Sequence, residues 1–185
     1  LPAPPAAGQT VAISVDDSTS ALALPGPLPT ALDDPTLPPQ AWLQRPFTPD
    51  LYGVSLQPGP DTYWHRLQLE GRFGDSAPRD WHLVADTHLL RHLEFYLFDG
   101  DQLILHQRAG LLDAVDRADR YSGIHLDFSL RQGQTLTLLI RKQNNGPAIL
   151  PLTLYSEAAF AVQQRNQYLF WGGVIAVLLA LALYN

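Results

Sequence analysis

The last 20 residues, Asn166 to Asn185, contain no charged side chain. A run of that length fits a helix crossing a hydrocarbon core of about 30 Å. Tyr168 and Trp171 lie toward one end and Tyr184 at the other, where aromatic rings sit at headgroup depth, and Arg165 marks the water side. A helix apolar on every side needs a large protein interior or lipid around it. The β domain that precedes it is too small to enclose it, so the run reads as a transmembrane helix. No charges follow Asn185, and the chain is expected to stop inside or at the edge of a membrane region.

Before this run the pattern differs. Thirteen of the sixteen prolines fall before residue 61, which excludes a helical domain there. Val11–Val15 alternates as a strand does, and Ser20–Pro25 does so more weakly. Between them and the main domain, TLPPQAWLQRPFTPD reads as an irregular segment that packs Trp42 and Phe47 against a neighbour.

From Tyr63 onward the hydrophobic period is two. Alternating runs occupy Tyr63–Glu70, Trp81–Asp86, Leu93–Phe98, Gln102–Arg108, Tyr121–Leu130, Gln134–Gln143 and Ala148–Tyr155. Asp99-Gly100-Asp101 separates two of them, and Asp-Gly between alternating runs is a strong hairpin signal because glycine tolerates φ > 0. About seven strands without intervening helical patterns predict an all-β protein, an antiparallel β-sandwich or jelly roll followed by one C-terminal transmembrane helix. Ser156 and Glu157 form a good helix start, a side-chain oxygen and then a carboxylate at the positive end of the dipole.

The predicted organisation is an exported tail over 1–10 and a Pro-rich arm with one or two strands over 11–62. The sandwich spans 63–155, a juxtamembrane helix 156–167, and the first membrane helix 168–185. The opening LPAPPAAG has the small and proline residues often found near a signal-peptide cleavage site.

Composition excludes several functions. A net charge of -6 without a Lys/Arg cluster argues against nucleic acid as a partner. The chain has no cysteine, which removes disulfides, thiolate catalysis and Cys-based zinc sites. There is no G-x-S-x-G elbow and no glycine-rich phosphate loop. His88 and His92 have helix-face spacing but lack the adjacent Glu of HExxH and lie among strands and loops. With His82 they are read as ordinary hydrogen-bonded histidines, so no metal, no cofactor and no enzyme activity is expected of this segment.

The strand Tyr63–Glu70 offers the main binding candidates. Trp64, Arg66, Gln68 and Glu70 share one face; Tyr63, His65, Leu67 and Leu69 share the other and read as core. An indole beside a guanidinium suits stacking on and hydrogen-bonding a sugar ring or a small anion. The alternative is that Trp64 plugs a second layer and Arg66 covers it; both readings stay open. Arg120 and Tyr121 make a second such pair.

A resemblance enters through the order of several short motifs. These are Tyr63-Trp64-x-Arg66, Trp81-His82-Leu83-Val84-x-Asp86 and Leu89-Leu90-x-His92-Leu93-Glu94-Phe95-Tyr96-Leu97. Gly133-x-Thr135-Leu136-x-Leu138, Arg141, Pro151-Leu152-x-Leu154, Gly172-Gly173 and Leu183-Tyr184-Asn185 follow. Over about two thirds of the chain, Tyr63 to Asn185, this resembles the type 2 extracellular domain of seven-transmembrane receptors with diverse intracellular signalling modules (7TMR-DISM). The resemblance implies a jelly roll similar to carbohydrate-binding modules, with residues 1–167 in the periplasm and the helix in a bacterial inner membrane. It implies a carbohydrate or other small-molecule ligand and a cytoplasmic output such as a diguanylate cyclase or histidine kinase. Trp64, Arg66, His82, Arg120 and Tyr121 are the ligand-binding residues it suggests. Two rivals are an interaction or homodimerisation module without small ligand, and a carbohydrate-binding module of a membrane enzyme.

Overall fold

The computed structural model describes residues 11–24, 28–49, 62–85, 90–110, 124–143 and 150–184. Among them are eleven strands and one long helix. The strands are β1 (Val11–Asp16), β2 (Ala21–Ala23), β3 (Pro29–Leu32), β4 (Thr48–Pro49), β5 (Thr62–Arg72), β6 (Arg79–Ala85), β7 (His92–Asp99), β8 (Gln102–Ala109), β9 (Ile124–Leu130), β10 (Thr135–Gln143) and β11 (Leu152–Ser156). The helix α1 is Glu157–Tyr184, and a short 3₁₀ helix covers Pro39–Leu43. Residues 86–89, 111–123 and 144–149 lie outside the described set, and with them His88 and the predicted pair Arg120 and Tyr121.

Two sheets form. The larger runs β4-β3-β5-β10-β7-β8, and the smaller runs β2-β11-β6-β9. β5 is the longest strand and carries two partners on one edge. β3 pairs antiparallel with its first half and β1 pairs parallel with its second. The parallel pair departs from the all-antiparallel expectation: β1 runs along the second half of β5, and the arm comes back to the same edge as β3, antiparallel to the first half. Four short strands form within 11–49 where one or two were expected. Proline explains their shortness: Pro29 opens β3 and Pro49 ends β4, positions at which a missing N–H removes no central ladder bond.

The period-two pattern decides which side chains enter the core. Leu67 and Leu69 of β5, Leu136, Leu138 and Ile140 of β10, and Leu93, Phe95 and Leu97 of β7 point inward from the larger sheet. Trp81, Leu83 and Ala85 of β6, Leu126 and Phe128 of β9, and Leu152 and Leu154 of β11 meet them from the smaller one. Fully burying each such side chain stabilises by roughly 1.5–3 kcal/mol before chain entropy is counted. The result is the two-layer sandwich predicted from the sequence.

Gly100 sits in the β7–β8 hairpin at φ +58, as the Asp-Gly signal required. The loop at Gly133 behaves differently. It joins β9 of the smaller sheet to β10 of the larger, so it crosses between layers instead of closing a hairpin. Gly71 clamps the crossing: its N–H donates to the Gln134 carbonyl at 3.0 Å and its own carbonyl accepts from Gly133 at 2.8 Å. A Cβ at position 71 would lie 2.3 Å from the Arg131 carbonyl oxygen.

β11 passes into α1 at Ser156–Glu157 without an intervening loop. The helix has 28 residues, about 42 Å at 1.5 Å per residue. It is long and apolar enough to cross a membrane, and none of its most apolar stretch is buried in the protein. Leu169, Phe170, Ile175, Val177 and Leu181 are all more than half exposed, as expected for a surface that meets lipid.

Candidate functional site

The register of the larger sheet builds its outer face in rows. Thr62, Gln143 and His92 stand side by side on β5, β10 and β7. The next row is Trp64, Arg141, Glu94 and Arg108, with β8 supplying the last. Beyond it come Arg66, Leu139, Tyr96 and His106, then Gln68, Thr137 and Phe98. Every second residue of four adjacent strands therefore contributes to one surface.

The arm lies across the middle of that surface. Trp42 of the 3₁₀ helix is buried and stacks on Trp64 with ring centroids 5.3 Å apart and planes at 19°. Phe47 meets Trp42 edge-on at 6.3 Å, and Tyr96 lies tilted against Trp64 at 5.4 Å. The Arg66 guanidinium sits 4.6 Å over Phe47 and donates to the carbonyls of Leu43 and Arg45 at 2.8 and 3.1 Å. Burial pushes its pKa below the ordinary arginine value. Trp64 and Arg66 thus seat the arm. The indole that would stack on a ligand is 2% exposed and already covered by another indole.

Covering the middle leaves a hollow on each side. One, about 270 Å³, is lined by Thr62, His92, Glu94, Arg108, Arg141 and Gln143. Two of these residues, Glu94 and Arg141, belong to a bonded chain. The Trp64 N–H donates to Asp33, whose other carboxylate oxygen accepts from Arg141 at 2.8 Å. Arg141 also reaches Glu94 Oε1 at 3.3 Å, and the Tyr96 hydroxyl donates to Glu94 Oε2. His106, stacked on Tyr96 at 4.3 Å, has its Nε2 3.4 Å from the same oxygen.

The charges tune one another. Burial would raise the Glu94 carboxyl, but the Tyr96 hydroxyl, Arg141 and Arg108 outweigh it and hold it below the usual range. Burial and then the Glu94 bond push the Tyr96 phenol well above its usual value. For Arg141 burial pulls down, while Asp33 and Glu94 raise it further. Two guanidinium groups, of which Arg141 is held by Asp33 and Glu94, and an ionised carboxylate, with a hydroxyl, an amide and an imidazole beside them, make a polar cleft. The second hollow, about 500 Å³, lies on the other flank among Gln44, Arg45, Arg66, Gln68, Asp101 and Thr137.

His82 lies elsewhere, on the outer face of the smaller sheet beneath α1, bonded to Asp127 and Glu157. It is not brought together with Trp64 and Arg66. Among the described residues, no group of three or more His, Asp or Glu side chains is placed to hold a metal ion. Asp33, Glu94 and Arg108 were missed by the sequence reading. Alternation alone put Glu94 outward, but pairing with Arg141 required the β7–β10 register, and Asp33 has no sequence signal.

The fold defines a class: a β-sandwich carried directly on a helix long and apolar enough to cross a membrane. Residues 40–156 match the model of the family 7TMR-DISM extracellular 2, and the chain belongs to that family. It is accordingly a sensor domain of a membrane protein, with its sandwich as the periplasmic segment. No curated protein matches the chain. Among solved structures, a β-glucosidase from Kluyveromyces marxianus in complex with glucose is similar over 58% of this chain and 12% of its own, at 15% identity and a TM-score of 0.29. At that score the likeness bears on neither fold nor function.

Proposed function

We propose that this chain is the ligand-sensing segment of a bacterial inner-membrane signalling receptor, and that a small hydrophilic ligand binds in the cleft of Arg108, Arg141 and Glu94. The observation that supports this most is the polar cleft itself, with Arg141 and Glu94 held in place by their bonds. At about 270 Å³ it falls just below the roughly 300–1,000 Å³ typical of drug-sized ligands, which suits a molecule as small as a monosaccharide or an amino acid. A carbohydrate, expected from the family resemblance, would use the hydroxyl-matching donors and acceptors around the rim. Trp64 and Arg66 would act behind the cleft, by holding Asp33 and the arm in place. The segment has no catalytic role in this reading. Its output, a cyclase or a kinase, lies beyond α1, and a ligand that favours one arrangement of the sandwich biases the helix by population shift.

One observation favours the rival reading of an interaction or dimerisation module: the aromatic platform is already occupied by Trp42. A thermal-shift screen of the chain in detergent, against mono- and oligosaccharides, amino acids and nucleotides, separates the two. A ligand at 100 times its dissociation constant stabilises by about 2.7 kcal/mol. A shift that disappears in Arg108→Ala, an exposed position, supports the cleft. A shift that survives that change places the ligand elsewhere, and a screen without shifts supports the interaction module.

A further inference from the structure

The outer face of the smaller sheet holds a second cluster, remote in the fold from the cleft. Its register sets Tyr155 of β11, His82 of β6 and Asp127 of β9 side by side. One step along stand Thr153, Val84 and His125. The first turn of α1 lies over both rows. Phe160, the one buried side chain of α1 among the described residues, packs on Val84 and Tyr155. Its ring stacks on His82 with centroids 4.1 Å apart and planes at 14°, and meets His125 at a tilt, 5.5 Å away.

The His82 ring is bonded at both nitrogens. Nδ1 lies 2.6 Å from Asp127 Oδ1 and Nε2 lies 2.6 Å from Glu157 Oε2. A neutral imidazole carries one N–H, and an ionised carboxylate has no proton to offer. Two carboxylate partners on one ring therefore call for the imidazolium, which donates from both nitrogens. One of those partners belongs to the sandwich and the other is the first residue of the membrane helix. The same ring also supports Phe160 beside Val84 and Tyr155, so His82 takes part in both the polar and the apolar contact at this joint.

We propose that protonated His82 is a latch that couples the sensor sandwich to the membrane helix, and that loss of its proton loosens the joint. The latch stands on the junction's geometry alone and holds whichever ligand occupies the cleft. Among the described residues, the other groups facing His82 are few. From β9 come Asp127 and His125, whose Nε2 is 3.6 Å from Asp127 Oδ2. β11 contributes Tyr155, and α1 contributes Glu157. On β6 the next outward charge, Asp80, is engaged by the Ser129 hydroxyl at 2.6 Å.

Burial alone would lower the His82 pKa, but the bonds to Asp127 and Glu157 and their charges outweigh it and raise it above 6.5. A raised value in the joined state means the stabilisation is complete below about 6.5 and is lost as pH rises through the folded-state value. Asp127 works from the other side. Burial would raise it, while the bonds to His125 and His82 hold it below the usual carboxylate range. Its contribution is present above about 3.9 and is lost only as pH falls through that depressed value. The joint is thus tight from moderate acid to near neutrality and loosens toward alkaline pH.

The test uses the chain in lipid nanodiscs. It has no cysteine, so Arg131→Cys and Gln163→Cys, both at exposed positions, accept a pair of spin labels cleanly. We expect one narrow interlabel distance at pH 5.5 and a broadened or second distance beyond a midpoint above 6.5. Glu157→Gln leaves the fold intact, because that side chain is 71% exposed, and lowers the midpoint by about one pH unit through loss of one opposite charge. His82→Gln removes the pH dependence between 5.5 and 8.5. The same distance distribution at pH 5.5 and 8.5 in the unsubstituted protein overturns the latch, as does a transition that persists in His82→Gln. Ring nitrogen NMR signals of a neutral imidazole for His82 at pH 6 would also overturn it.

Discussion

The two outer faces of this sandwich are covered in opposite ways. On the larger sheet the cover is the arm, held by stacked rings: Trp42 on Trp64, Phe47 against both Trp42 and the Arg66 guanidinium. On the smaller sheet the cover is the start of α1, held by a charged imidazole between two carboxylates. Dispersion and burial do not titrate, so the first cover is fixed across the pH range in which the second responds. A sensor needs both kinds of contact. In the proposed reading one face keeps an aromatic wall beside the polar cleft, and the other keeps a joint that can be biased by a modest change in free energy.

The largest effect is expected where the aromatic cover is removed. Trp42→Ala empties a site that is 1% exposed and should destabilise the sandwich by about 3–5 kcal/mol in denaturant unfolding. A loss below about 1 kcal/mol would mean that the arm is an accessory and that the contrast between the two covers is mistaken. Gly71→Ala tests the crossing that positions β10 beneath the cleft. With a Cβ 2.3 Å from a backbone oxygen, the chain must shift, and a loss of about 1–3 kcal/mol is expected from overpacking. Trp64→Phe keeps a ring in the stack but strips the donor from Asp33, whose side chain is 10% exposed. That change should cost about 1–3 kcal/mol, and any ligand shift seen with the unsubstituted chain should weaken with it. Smaller than any of these, the exposed pair of Arg72 and Glu70 at 3.0 Å should be dispensable: Arg72→Ala should leave the melting temperature unchanged.

Much of this was legible from local pattern. Alternation at Tyr63–Glu70 separated Leu67 and Leu69, which are core, from Trp64 and Arg66, which face the arm. The Asp99-Gly100-Asp101 hairpin and the uncharged terminal helix were equally plain, because turn chemistry and a bilayer's thickness act on a few consecutive residues. The candidate site was less legible. For Trp64 and Arg66 the pattern leaves ligand contact and the filling of a second layer both open; the fold sets Trp64 under Trp42 and Arg66 under Phe47, with Arg66 also lining the second hollow. Of the groups that line the cleft, His92, Glu94 and Arg141 fall within the family-like motifs, but no local pattern brings them together with Arg108.

The residues by themselves determined the strand faces, the breaks made by proline and glycine, and the presence of a helix fit for lipid. Each follows from backbone geometry and side-chain transfer energies that need no distant partner. The tertiary structure decided the rest: that β9 and β10 part into different sheets, that β1 joins β5 in parallel, that Trp42 covers Trp64, and that His82 meets a carboxylate 75 residues away in Glu157. Those pairings depend on which chain segments close upon one another. That choice is set by the fit of the whole core, and the period of any one strand is compatible with several partners.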